Sequence, residues 1–102
     1  MFTHVPDMQT AEQIARVLLA DKLAACVNIS SPVRSLYRWQ GSIETAEEIA
    51  LSIKTRQSLY AACADTLRAL HPYELPEIVG IHVDTVLPEY RAWIVLETSG
   101  QE

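Results

Sequence analysis

The chain has 102 residues, 49% of them hydrophobic and 21% charged, which suits one globular domain over residues 1–102 and excludes a disordered or low-complexity chain. Thirteen acidic against eight basic residues set a net charge of −5, which argues against nucleic acid as the main partner. No apolar run approaches the ~20 residues of a membrane span, so no membrane partner is expected.

Met1 to Val5 read as a short strand that stops before Pro6, because proline donates no amide hydrogen and holds the preceding residue extended. A helix follows to about Lys22, with Ala11, Ile14, Ala15 and Leu18 at helical spacing. Thr10 and Gln13 fit a capping box there, and Asp7 is a competing cap. The apolar run Leu23 to Ile29 predicts a buried strand that ends at Ser30-Ser31-Pro32. Val33 to Gln40 forms a second strand, and Gln40-Gly41 is the expected hairpin tip. The return begins at Ile43. From Glu47 to Thr55, Ile49, Leu51 and Ile53 alternate with more polar neighbours, the pattern of a strand with one buried face.

Leu59, Ala62, Cys63, Thr66, Leu67 and Leu70 make the stripe of a second helix, with Thr55 as its expected cap and His71-Pro72 as its end. A strand from Ile78 to Asp84 and a last helix from Pro88 complete the order βαββαβα. Two βαβ halves predict an α+β ferredoxin-like sandwich, βαββαβ plus a C-terminal helix. The hairpin through Trp39 and Gly41 is long for so small a domain, and it offers an edge to a neighbouring chain.

Few side chains form a recognisable chemical pattern. Cys26 and Cys63 belong to no C-x-x-C pair, and three glycines leave no phosphate-cradling loop. No signal-peptide pattern opens the chain, so a cytoplasmic location with reduced thiols is expected. No Ser-His-acid arrangement can be assembled, and the chain is expected not to be an enzyme. His82 and Asp84 share a strand face and could chelate a metal, although a solvated polar face explains them as well. His71, at a helix end, has two open readings: a partner for the helix's free carbonyls, or a ligand for Cu(II) or Zn(II).

Four segments resemble the CutA family of divalent-cation tolerance proteins: LAACVNI (Leu23–Ile29), SLYRWQGSIE (Ser35–Glu44), IKT (Ile53–Thr55) and HPYELPEI (His71–Ile78). Tyr90, Trp93 and Ile94 add the family's Y-x-x-W-I pattern. The resemblance implies a ferredoxin-like homotrimer similar to the nitrogen-regulatory PII proteins, with strands extending across subunits. It also implies copper or another divalent cation as ligand, with His71 in the position of a copper-binding histidine. Thr3 stands where some members carry a metal-binding cysteine, which leaves His4 as a possible substitute ligand, although neighbouring strand residues face opposite ways. In the family, the positions of Trp39, Lys54, Tyr73, Glu74 and Glu77 contribute to pockets near subunit boundaries. They could hold a small ligand there, or simply anchor the interface. Two functions follow: a trimeric divalent-cation tolerance protein, or a PII-like regulatory or scaffold trimer that binds a small ligand or protein at inter-subunit clefts.

Overall fold

Three antiparallel strands form the sheet, in the order β1 (Phe2–Val5), β3 (Ser42–Lys54), β2 (Cys26–Trp39). The structure is a computed structural model and describes residues 1–100. Helices α1 (Met8–Ala20) and α2 (Tyr60–Leu70) supply the layer that covers the sheet. α3 (Pro88–Glu97) closes the chain. The α+β architecture is the one expected.

Alternation builds the core. Ile49, Leu51 and Ile53 of β3 are buried with Thr3 and Val5 of β1. Ile14 and Leu18 of α1 and Cys63 and Leu67 of α2 complete the cluster. The second helix contributes a narrower stripe than its sequence suggests, since Ala62 is exposed.

β2 is one strand where two were expected. Pro32 is accommodated by a register shift between Ile29 and Pro32, so the ladder resumes instead of ending. At this irregularity the Ala50 amide donates to the Ser30 hydroxyl at 2.8 Å, replacing a backbone acceptor. β2 and β3 therefore run as a long ribbon. Fourteen residues span roughly 45 Å, in keeping with the molecule's longest dimension of 44 Å. Its tip has Gln40 at φ 49° and Gly41 at φ 84°, the two positive values of a type I′ turn.

One of the two caps considered for α1 is taken up, and the cap expected for α2 is not. Asp7, not Thr10, caps α1: its carboxylate accepts the Thr10 amide at 2.7 Å. Thr55 does not cap α2. Its hydroxyl donates to the Leu23 carbonyl at 2.7 Å, and α2 is entered through a 3-10 turn at Gln57–Leu59.

The expected strand Ile78–Asp84 is reduced to one bridge. Phe2 and Val79 exchange both backbone hydrogen bonds, at 2.8 and 3.1 Å. Antiparallel pairing beyond Val79 would need partners before Phe2, so residues 80–84 run past the end of β1. Ile81, Val83 and Leu87 stay exposed, as do Leu36 and Ile43 on the ribbon. No residue of α3 is buried. Among the described residues, no helix is long and apolar enough to cross a membrane.

Candidate functional site

The HPYELPE segment, His71 to Glu77, lies against β1 and β3 and is fastened there by side chains. α2 ends at His71, whose backbone turns extended ahead of Pro72. His71 is buried, at 8% exposed. Its Nε2 lies 2.8 Å from the His4 carbonyl, which can only accept, so Nε2 carries the proton. Its Nδ1 accepts the Tyr73 amide at 3.2 Å. Both nitrogens are therefore occupied, and the ring ties β1 to the start of the segment. That arrangement leaves no lone pair for a metal, so the donor set around His71 in one chain does not fit a bound cation. The ring partners the β1 carbonyl instead of the helix's own last carbonyls.

The Tyr73 ring lies tilted by 52° beside His71 with ring centroids 4.8 Å apart, and its hydroxyl donates to the Glu48 carboxylate at 2.7 Å. Burial and the Glu48 carboxylate push the phenol well above its ordinary range, so it remains a neutral donor.

Glu77 reaches back to β1. Its carboxylate accepts from His4 Nδ1 at 2.8 Å. A carboxylate holding one ring nitrogen is the usual second partner of a metal-binding imidazole, because it fixes the tautomer and leaves Nε2 with its lone pair. His4 is partly exposed at 29% of its side chain, and among the described residues its Nε2 has no hydrogen-bond partner. Thr3 faces the other way and is fully buried, as strand alternation requires. The same segment thus secures His4 twice, through its carbonyl by His71 and through its ring by Glu77.

The remaining expected positions are dispersed. Trp39 sits at the ribbon tip, paired with Ser42, whereas Lys54 ends β3 opposite Cys26. Those ends of a 13-residue strand lie roughly 40 Å apart, so Trp39 and Lys54 share no cleft within one chain. Lys54 Nζ donates to the Asn28 side-chain carbonyl. Glu74 is exposed. Tyr73 and Glu77 stay together in the fastened segment. His82 and Asp84 approach to 3.5 Å but are both well exposed. Among the described residues, no three of His, Cys, Asp and Glu converge as a metal-holding group. Cys26 is half-buried, and burial pushes the Cys63 thiol up to about 11.

Sequence reasoning undervalued the pairing of His4 with Glu77. The two are separated by 73 positions, and only the docking of the HPYELPE segment on β1 brings them together.

The pattern of the CutA1 divalent ion tolerance protein family matches residues 1–97. The divalent-cation tolerance protein CutA of Pyrococcus horikoshii is 37% identical over 96% of this chain and 95% of its own length. The crystal structure of CutA from Xylella fastidiosa superposes with a TM-score of 0.93 at 48% identity, covering 96% of this chain and 94% of that one. The periplasmic divalent cation tolerance protein CutA of Archaeoglobus fulgidus superposes equally well, at 0.93 and 40% identity, covering 96% and 95%. The chain spans about half the length of the mouse and human CutA proteins, at 52% of each. A match across nearly the whole sequence, with the same backbone at this level of identity, places the chain in the CutA1 divalent ion tolerance protein family.

Proposed function

We propose that the chain works in divalent-cation tolerance as a cytoplasmic homotrimer that binds copper, with His4 as the imidazole ligand and the remaining ligands supplied where copies meet. The observation that carries this reading is the His4–Glu77 pair: a ring fixed at Nδ1 by a carboxylate, with Nε2 directed away from that bond. Imidazole nitrogen suits Cu(II), which tops the divalent affinity series. One chain gathers no three-ligand group among its described residues, so a complete site calls for a second copy. Exposed apolar side chains on the ribbon and on residues 81–87 support such an assembly, since burying Leu36, Ile43, Ile81 and Val83 between copies would remove them from water. Across such seams Trp39 of one copy would come near Lys54, Tyr73, Glu74 and Glu77 of another. His71 takes the role of a strut beneath His4.

Calorimetric titration of Cu(II) into the metal-free protein tests this. Saturable binding that His4→Gln removes and Glu77→Gln weakens is expected. Binding unchanged in His4→Gln would refute it.

A further inference from the structure

The segment that supports His4 is attached to the sheet at few points. At one end the His71 ring bonds the His4 carbonyl, and at the other Val79 bridges to Phe2. Both ends therefore rest on β1, with residues 72–78 bowed between them. Leu75 is 67% exposed and Glu74 is exposed, so burial does not hold the crest of that bow. Among the described residues, one hydrogen bond ties residues 72–76 to the sheet: the Tyr73 hydroxyl on the Glu48 carboxylate, at 2.7 Å.

Tyr73 stands at a branch point. Its amide donates to His71 Nδ1, which keeps that nitrogen an acceptor and the ring proton on Nε2. The His4 carbonyl needs that proton, with Nε2 2.8 Å away. A His71 ring released from the Tyr73 amide can carry its proton on either nitrogen, and its Nδ1–H tautomer has no donor for the carbonyl. In the other direction, Glu77 follows Tyr73 by four residues and accepts from His4 Nδ1 at 2.8 Å. Glu48 is suitably placed as the anchor. His4 pairs with Ala50 in the ladder, and Glu48 stands two residues from Ala50. His4 and Glu48 thus share one face of the sheet, roughly 7 Å apart along the strand direction.

We propose that Tyr73, anchored on Glu48, is a positioning residue for the His4 imidazole: it makes no hydrogen bond to that ring, and it sets the ring's tautomer and orientation through His71 and Glu77. One consequence, for copper affinity, rests on the reading of His4 as the copper ligand. The other, for the metal-free rings, does not.

Nitrogen NMR of the metal-free full chain at mildly alkaline pH, where imidazole is neutral, reads the tautomer of each ring. His4 is expected as the Nδ1–H tautomer and His71 as the Nε2–H tautomer. In Tyr73→Phe and, independently, in Glu48→Ala, both rings are expected to mix tautomers, with the two nitrogen signals of each drawn together. Glu48→Gln keeps an acceptor for the phenol and is expected to retain the parent pattern. Thr55→Val removes a bond of the same length elsewhere, from the Thr55 hydroxyl to the Leu23 carbonyl at 2.7 Å, and should leave both rings as in the parent. Cu(II) affinity should fall about three- to tenfold in Tyr73→Phe and Glu48→Ala, at or below the low end of the range for groups that bond a metal ligand directly. Parent-like tautomers in both Tyr73→Phe and Glu48→Ala would overturn the proposal, as would equal mixing in Glu48→Gln or Thr55→Val. Mixed tautomers with unchanged copper affinity would uphold the positioning of His4 and remove His4 from the copper site.

Discussion

Replacing His71 by alanine removes two hydrogen bonds and a buried ring. The His4 carbonyl loses its 2.8 Å donor and the Tyr73 amide its 3.2 Å acceptor. Each bond contributes about 1 kcal/mol net, and a backbone group left buried without a partner costs about 1–3 kcal/mol. Water reaching the vacated space offsets part of this, because the site lies near the surface. The expected destabilisation is about 3 kcal/mol, measured by urea unfolding with tryptophan fluorescence at fixed protein concentration, since the proposed assembly would make stability depend on concentration. His71→Gln keeps a donor for one of the two bonds and should recover about 1 kcal/mol. Stability within about 0.5 kcal/mol of the parent, below even one net hydrogen bond, would refute the reading of His71 as a strut.

Other consequences can be checked directly. Cys26 should react with a thiol reagent at pH 8 in the folded protein, while Cys63 should react only on unfolding, because burial keeps its thiol protonated. The Cys63 thiol titrates near 11 when folded and near 9.0 when unfolded, so the unfolded chain binds fewer protons between those values. Stability should therefore fall as pH rises from 9 to 11, and Cys63→Ala should flatten that slope in pH-dependent unfolding. The Asp7 carboxyl is held below 3.8 by the Thr10 amide, so its contribution is complete above that value and is lost as pH falls through the lower folded one. Asp7→Asn keeps a neutral cap and should remove this acid dependence from the melting temperature. Placing aspartate at both Leu36 and Ile43 puts charge on the exposed ribbon face, and sedimentation should then find single chains where the proposed assembly predicts trimers for the parent.

Local pattern was legible wherever one element decides the outcome. The α1 stripe, the alternation of Ile49, Leu51 and Ile53, and the Gln40-Gly41 turn each depend on a few adjacent residues, and each is where the sequence puts it. The misreadings share a cause, since they concern bonds made by distant segments. Pro32 looks like a strand end until β3 supplies the register shift that tolerates it. Thr55 looks like a cap until its hydroxyl meets Leu23. Ile78–Asp84 alternates as a strand should, yet within it Val79 alone bridges to β1, at Phe2. His71 was visible as a motif residue. The sequence leaves its structural and ligand readings open, because the carbonyl it bonds lies 67 positions away. Trp39 and Lys54 are expected near subunit boundaries, and within one chain they stand at opposite ends of the ribbon.

The most direct test of the central claim is the Cu(II) electron paramagnetic resonance spectrum of the parent, His4→Gln and His71→Gln proteins at one copper per chain. Imidazole nitrogen hyperfine structure is expected in the parent, lost in His4→Gln and retained in His71→Gln. Loss of that signal in His71→Gln with its retention in His4→Gln would contradict the assignment and return His71 to the role of ligand.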